Sequence, residues 1–296
     1  MFQLGIITDE VHDDLTKSCE LIKEAGIELV ELRTIGGANI LELSQEAIHK
    51  AKSTLDEYGL KVVGLSSPIL KSPLEGKTKS VTRGDFMLEG HMTFEEQLDL
   101  LEHAAGLCKV FDTSLVRVFT FLREDWSKSL VEKIAVHLLE SAELAKQHGI
   151  TLAVENEPIC NVRHGREMGE LFDYLEKIGS PALLRHLTIL WDPGNAFYAG
   201  EMDASEAGYA AVRGRVGHVH IKDVFFDTEG NPHCVPVGKG RVDYIRQISA
   251  LTDDGYSGPL ILEPHYIPEG RSRMEGAIEA ISALRKVLRD LGNRIM

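Results

Sequence analysis

The chain has 296 residues, of which 43% are hydrophobic and 26% are charged, as in an ordinary globular protein. Acidic residues outnumber basic ones 46 to 32, so the formal net charge is −14. Such a negative surface repels phosphate groups, which argues against nucleic acids and anionic membranes as partners. No apolar run approaches the ~20 residues that are needed to span a bilayer.

Eight short apolar runs, rich in β-branched residues, predict eight β-strands. Their hydrophobicity is nearly continuous, which is typical of parallel strands that are covered on both faces. In chain order, the predicted strands are residues 2–8, 27–32, 60–66, 114–121, 150–156, 187–192, 216–222 and 259–264.

Longer amphipathic segments separate these strands and predict helices. Several of the segments end in glycine, as at Gly26, Gly59 and Gly149, and Ser44 is a plausible N-cap. The predicted helices are residues 13–26, 44–59, 95–109, 129–149, 167–179, 203–213, 241–253 and 273–291.

Eight β-then-α units of this length predict an α/β fold, a single (β/α)8 TIM barrel that spans residues 1–296 as one domain. The main alternative is a doubly wound open sheet. Its Gly-rich turn is missing here, because the first predicted strand runs into Thr-Asp-Glu-Val at 8–11. The longest irregular stretch, residues 67–94, predicts either an active-site lid or a tolerated insertion.

The four cysteines are far apart and include no Cys-x-x-Cys pair, which argues against a zinc knuckle or a disulfide framework; they are Cys19, Cys108, Cys160 and Cys234. The first residues turn acidic within ten positions and lack the basic start and apolar core of a signal peptide. We therefore expect reduced thiols and a cytoplasmic location.

Polar side chains close the last four predicted strands. Glu155, Asp192, His220 and Glu263 lie at or near the ends of strands five to eight, where TIM barrels carry their chemistry. Clustered acids repel one another unless a cation or shared protons compensate. Three carboxylates and one neutral imidazole suit Mn²⁺, Mg²⁺, Co²⁺ or Zn²⁺. We predict that these four residues bind one divalent ion.

The stretch VGHVHIKD at 216–223 has two histidines in an otherwise apolar strand. Side chains alternate along a strand, so His218, His220 and Lys222 face the same side, here the barrel interior. His220 is nearer the catalytic rim and is the predicted ligand, whereas His218 lies deeper, in a hydrogen-bond network beneath the ion. Lys222 either contacts substrate oxygens or forms a salt bridge with an acid such as Asp223.

An ordered set of short segments spans nearly the whole chain: GIITDEV (5–11), VELR (30–33), VENEP (154–158), WDPGN (191–195), HVHIKD (218–223), PVGKGRVDY (236–244) and ILEPHY (261–266). With this set, the sequence resembles the xylose isomerase-like superfamily of metal-dependent TIM barrels, the sugar phosphate isomerase/epimerase family.

The Gly238-Lys239-Gly240 segment precedes a helix at a place where barrels often bind phosphate, but a simple turn is the favoured interpretation.

The resemblance implies that Glu155, Asp192, His220 and Glu263 bind the metal, and that Glu155 and Glu263 also move protons. It implies an isomerase or epimerase of a small sugar or sugar-like polyol, which acts through a metal-stabilised enediolate. Mn²⁺ is the expected ion. A dehydratase of a cyclic polyol, such as an inosose or dehydroshikimate, is the alternative, followed by a non-catalytic binding barrel and an apurinic endonuclease. Related barrels also imply a homodimer or homotetramer.

The departures from the epimerase pattern lie in the substrate site. Asn195 stands where those relatives have histidine, Asn161 where they have glutamate, and Phe226 where they have arginine. These departures argue against ketose 3-epimerisation in particular. The partner that we expect is a small carbohydrate, and the predicted substrate-binding residues are Asn195, Lys222, His218, Glu157, His265 and Arg33. For Arg33, a buried ion pair is the alternative role.

Overall fold

The computed structural model describes residues 2–74 and 92–295, and eight parallel strands in them close into a barrel. Each strand pairs with its neighbours along the chain, and the first pairs with the last, Leu4 opposite Leu260. The prediction of a (β/α)8 barrel is therefore confirmed. The strands are β1 Leu4–Ile7, β2 Leu29–Leu32, β3 Lys61–Leu65, β4 Leu115–Val118, β5 Thr151–Glu155, β6 Leu187–Trp191, β7 Val216–Ile221 and β8 Leu260–Leu262.

Helices connect the strands, and each predicted helix has a counterpart in the structure. The described helices are α1 Leu15–Glu24, α2 Gln45–Tyr58, α3 Phe94–Val110, α4 Lys128–His148, α5 Gly165–Ile178, α6 Pro181–Leu184, α7 Pro193–Tyr198, α8 Tyr209–Val212, α9 Tyr244–Asp253 and α10 Arg273–Ile295. A π-helical turn, Ala204–Gly208, leads into α8. None of the described helices is long and apolar enough to cross a membrane.

Local chemistry sets the helix ends. The Ser44 hydroxyl accepts a hydrogen bond from the Ala47 N–H at the start of α2. Thr93 and Glu96 form a reciprocal capping box at the start of α3. Helices α2 and α4 both end at a glycine in the left-handed conformation, Gly59 and Gly149.

The strands are buried on both faces, but the two faces differ in chemistry. In β7, Val219 and Ile221 belong to the apolar core that packs under the helices, whereas His218 and His220 face polar partners inside the barrel. The interior therefore has a polar layer near the C-terminal ends of the strands. This is the layer from which the site is built.

Two short hairpins rise from the C-terminal end of the barrel, Thr34–Asn39 after β2 and Asp223–Val235 after β7. After β3, residues 67–74 run beside the end of β4, where Phe119 and Phe121 donate backbone hydrogen bonds to Ile69 and Leu70. Residues 92–94 lead into α3, and the other part of the predicted lid or insertion, residues 75–91, lies outside the described residues.

Candidate metal and substrate site

Four polar side chains converge at the C-terminal end of the barrel. Glu155 ends β5, Asp192 follows β6, His220 lies in β7 and Glu263 follows β8. One ligand atom from each lies within 4.8 Å of the others, and all four residues are at most 3% exposed. The structure thus brings together the four residues that were predicted to bind a metal, and their role as ligands stays a prediction.

Three of these side chains have a buried atom without a hydrogen-bond partner among the described residues. The atoms are Glu155 Oε2, Asp192 Oδ2 and His220 Nδ1. Buried polar atoms are normally hydrogen-bonded, so unpaired ones need an explanation such as an ion. His220 Nδ1 lies 3.2 Å from Glu155 Oε1 and 3.4 Å from Glu263 Oε2. These donors, three carboxylates and an imidazole, fit a divalent cation.

Asp192 is held so that one of its oxygens stays available. Its Oδ1 accepts the N–H of Asn195 and caps α7. The Asn156 side chain accepts a hydrogen bond from the Asp192 N–H and donates one to the Asp192 carbonyl. Backbone and side chain are therefore fixed, and Oδ2 points into the cluster.

Lys222 and Arg117 are among the basic side chains that balance the acids. Lys222 Nζ lies 3.0 Å from Glu263 Oε2 and 3.3 Å from Asp192 Oδ2. Arg117 Nη1 lies 3.1 Å from Glu155 Oε2, while its other nitrogens bond the carbonyls of Ser66 and Ser67. Lys222 forms a close ion pair with Asp192 Oδ2, and Arg117 forms one with Glu155 Oε2. The geometry of these two contacts is not that of a hydrogen bond.

The charge distribution shifts the pKa values of the cluster. Burial raises the pKa of Asp192 to about 6, against the opposing charge of Lys222. Burial lowers the pKa of Lys222, but Asp192 and Glu263 outweigh it and hold that pKa well above its usual range. Burial also raises the pKa of Glu263, yet Lys222 and His265 bring it well below normal.

Glu31 lies beneath the cluster, on β2. Its carboxylate contacts His218 Nε2 and lies 3.1 Å from His220 Nε2. Burial raises the pKa of Glu31, but the effect of the two histidines is larger and opposite, so this pKa lies well below its usual value. His218 is 3% exposed and lies in this deeper layer, away from the residues that line the cavity.

A second ionic group forms the rim between β1, β2 and β8. Arg33 bonds Asp9 Oδ2 and Glu263 Oε1, at 2.8 and 2.6 Å, and also pairs with Glu10. His265 Nδ1 lies 2.8 Å from Glu10. Burial lowers the pKa of His265, but Glu10 raises it to about 9.

A cavity of about 250 Å³ opens above the cluster. Five of the six predicted substrate-binding residues line it, and His218 does not. Apolar side chains form part of the wall, so the cavity has both polar and apolar surfaces. Its lining is Arg33, Lys71, Arg117, Phe119, Glu157, Pro158, Ile159, Asn195, Tyr198, Lys222, Cys234, Glu263 and His265.

Asn195 links the cluster to this cavity. Its amide oxygen accepts a hydrogen bond from Lys222 Nζ at 3.0 Å, and its amide nitrogen donates to the Asn156 carbonyl. The same nitrogen lies 3.5 Å from Glu157 Oε2. Asn195 thus orients both Lys222 and the neighbouring acids.

The predicted alternative for Lys222, a salt bridge with an acid, is present in the structure, with Asp192 and Glu263 as the partners. Asp223, the acid named as an example, faces other groups. The Asp223 carboxylate accepts backbone N–H bonds from Val224, Gly238, Gly240 and Val242. The glycine turn at 238–240 therefore already holds an anionic group of the chain itself, which agrees with a simple turn.

Four residues of the site were not predicted from the sequence, namely Asp9, Glu10, Lys71 and Asn156. Asp9 and Glu10 directly follow the first strand, so their place at a strand end was a usable indication. Lys71 lies 4.7 Å above the Phe119 ring and 3.5 Å from Glu157, contacts that no sequence pattern indicated.

Known proteins resemble this chain over different lengths. Inosose dehydratase of Clostridium perfringens is 27% identical over 184 residues, which are 57% of this chain and 56% of that protein. The match thus spans little more than half of this curated relative.

Solved structures match over nearly the whole chain. A D-tagatose 3-epimerase-like protein is 20% identical, with a TM-score of 0.73 over 99% of this chain and 100% of that one. The IOLI protein, whose crystal structure holds a zinc atom, is 17% identical, with a TM-score of 0.71 over 99% of each chain. At these identities the likeness shows the fold.

The family model described as xylose isomerase-like TIM barrel matches residues 19–287. This match covers most of the chain, including all four clustered residues. The chain belongs to the xylose isomerase-like TIM barrel family.

Proposed function

We propose that this protein is a divalent-metal-dependent isomerase or epimerase of a small sugar or sugar-like polyol. The observation that carries the proposal is the convergence of Glu155, Asp192, His220 and Glu263 beside a cavity that has polar and apolar walls; three of these side chains have a buried atom without a hydrogen-bond partner among the described residues. Mn²⁺ is the ion that we propose, and the zinc in the IOLI crystal structure makes Zn²⁺ the first alternative.

The side chains of the cluster support proton transfer at a carbon next to a carbonyl. A divalent ion held by these residues would act as a Lewis acid on the carbonyl oxygen. Glu155 and Glu263 reach the cluster from strands five and eight, nearly opposite each other across the barrel. One carboxylate can therefore remove a proton from one face of the carbon, while the other, carrying a proton, returns one to the opposite face.

Groups of the rim would hold the substrate. Lys222 and Asn195 present an ammonium and an amide to the cavity, and His265 and Arg33 present cations to it. Such donors suit hydroxyl and carbonyl oxygens. Phe119 and Tyr198 give an apolar wall against which carbon–hydrogen faces can pack.

A dehydratase is the second candidate, because the curated relative is an inosose dehydratase. Loss of water needs a base for the C–H proton and an acid for the departing hydroxyl. His265 lines the cavity, and its Nε2 lies 3.4 Å from Glu263 Oε1, so an acid and a base are adjacent. This pair would serve the elimination.

One experiment separates these candidates. Mn²⁺-loaded protein is incubated with a panel of ketoses and inososes in D₂O and followed by NMR. Deuterium at a carbon without loss of water identifies an isomerase or epimerase, and loss of water identifies a dehydratase. If every sugar stays unchanged, the proposal fails and a binding barrel takes its place.

We propose further that residues 1–296 form one domain and that the protein works in the cytoplasm as a homodimer or homotetramer on a small carbohydrate. The family match over residues 19–287 supports a single domain. Light scattering after size-exclusion chromatography measures the assembly, and a monomeric mass would overturn that part.

A further inference from the structure

We propose that Glu31 is a positioning residue that fixes the ring of His220 so that Nδ1, and not Nε2, binds the metal. This inference rests on the proposed metal site but concerns a residue outside the four ligands. Glu31 lies on β2, which β1 and β8 separate from β7 around the barrel, so its contact with β7 crosses the interior.

The contacts of Glu31 define the direction of each hydrogen bond. Its Oε2 accepts from the Ser66 hydroxyl and lies 3.1 Å from His220 Nε2. Its Oε1 contacts His218 Nε2. An ionised carboxylate only accepts hydrogen bonds, so each of these three partners must supply its hydrogen. His220 therefore has its hydrogen on Nε2.

The other ring nitrogen of His220 faces the cluster. Nδ1 lies 3.2 Å from Glu155 Oε1 and 3.4 Å from Glu263 Oε2, and no described residue is hydrogen-bonded to it. With the hydrogen held on Nε2 by Glu31, the lone pair of neutral His220 is on Nδ1. A carboxylate that holds a ligand histidine in this way also makes it a stronger donor.

Glu31, His218 and His220 are also close enough together to form a different metal site. In that case an ion would bind His220 Nε2. The contacts argue against it, because both Glu31 oxygens already accept hydrogen bonds, while Glu155 Oε1 and Glu263 Oε2 lie 3.2 and 3.4 Å from His220 Nδ1. We therefore expect the ion that His220 binds to lie on the Nδ1 side of its ring.

The first test measures metal affinity in Glu31→Gln. Glutamine keeps the size of the side chain but has only one acceptor oxygen, so it cannot accept from both histidines. We expect Mn²⁺ binding, measured by calorimetry, to weaken about 10–100-fold. Glu167→Gln is the matched control, because Glu167 is equally buried but pairs with Arg123, away from the cluster. We expect wild-type affinity in the control.

The outcomes distinguish this inference from the proposed function. If the wild-type protein binds no divalent ion, the proposed metal site itself is wrong. If the wild type binds one ion and Glu31→Gln binds it equally well, only the role of Glu31 is wrong. An ion that binds at Glu31, His218 and His220 would also overturn the inference.

The second test needs no substitution and so does not depend on the folding of a variant. Long-range ¹⁵N–¹H correlation spectra of the Zn²⁺-loaded wild-type protein report which histidine nitrogen carries hydrogen. We expect His220 to show Nε2–H and a metal-shifted Nδ1, and His218 to show Nε2–H. A metal-shifted Nε2 on His220 would overturn the inference.

Discussion

The ammonium nitrogen of Lys222 lies 3.0 Å from Oε2 of Glu263, deep in the barrel where Lys222 is 5% exposed. The same nitrogen is 3.3 Å from Asp192 Oδ2. Lys222 thus contacts two of the four proposed metal ligands. A bound ion and this ammonium would share the same carboxylates, so each affects how strongly the other is held.

We predict that Lys222→Gln destabilises the metal-free protein by about 3–5 kcal/mol, because removal of one partner leaves buried charges uncompensated. Added Mn²⁺ supplies positive charge, so it should raise the melting temperature of the variant more than that of the wild type. Thermal melts with and without Mn²⁺ measure both effects.

Lys52→Gln is the control for Lys222→Gln. Lys52 pairs with exposed Asp56 on the surface, and such pairs contribute about 0–1 kcal/mol. If Lys222→Gln is as stable as Lys52→Gln without metal, the Lys222 ion pairs do not balance the cluster.

His265→Gln should separate the two candidate reactions. His265 is not one of the four proposed ligands, yet it lines the cavity beside Glu263. If the protein is a dehydratase, we expect the loss of its acid to slow water release about 10²-fold or more while deuterium exchange continues. NMR in D₂O follows both rates in one sample.

If the protein is an isomerase or epimerase, we expect the rate of product formation by His265→Gln to fall only as far as its substrate binding weakens. The Mn²⁺ affinity of the variant is measured in parallel. A large drop in that affinity would show that His265 acts on the ion, contrary to the roles assigned above.

Gly194→Ala should destabilise the fold and disturb the site. A Cβ at Gly194 would lie 2.2 Å from the Lys222 carbonyl oxygen, because α7 begins directly against β7. Overpacking of this kind costs about 1–3 kcal/mol or more. Urea denaturation measures the free energy of unfolding, and Mn²⁺ affinity should fall with it, since Asp192 and Lys222 flank the contact.

Gly106→Ala is the counterpart. Gly106 is exposed within α3, and a Cβ there would meet nothing within 4 Å. Alanine favours the helix, so we expect a gain of about 0.5–1 kcal/mol. Equal effects of the two substitutions would contradict the close approach of α7 to β7.

At pH 8, iodoacetamide should label Cys234 before it labels the other three thiols. Even the labelling of Cys234 should be slow. Burial raises the pKa of Cys234 to about 11 and that of Cys19 and Cys108 to about 12, so little reactive thiolate exists in any of them. Cys234 alone of the four is partly exposed. Mass spectrometry of peptides locates the label, and guanidinium-unfolded protein should react at all four positions. Rapid native labelling of Cys19 would refute this.

Local sequence was enough to predict the barrel. Each apolar run became a strand, and the Ser44 cap and the Gly59 and Gly149 stops lie where the structure ends its helices. These features depend on neighbours within a few residues. The strand ends at Glu155, Asp192, His220 and Glu263 followed from the same pattern, because a barrel gathers all its strand ends at one mouth.

The partners of each polar group could not be read in this way. The contact of Glu31 with two histidines joins residues about 190 positions apart in the chain, and that of Arg33 with Glu263 spans 230. A salt bridge of Lys222 with an acid could be predicted, but the example given, Asp223, was wrong: alternation along the strand turns Asp223 toward backbone N–H groups, and Lys222 pairs with Asp192 and Glu263 instead.

The amino-acid pattern by itself determined the kind of fold and which polar residues would stand at its open end, since hydrophobic periodicity and helix caps act over short distances. Only the tertiary structure decided which acid faces which base and which atoms stay unpaired. These contacts depend on the closure of β1 against β8 and on the radial position of each side chain, and no short stretch of sequence encodes either.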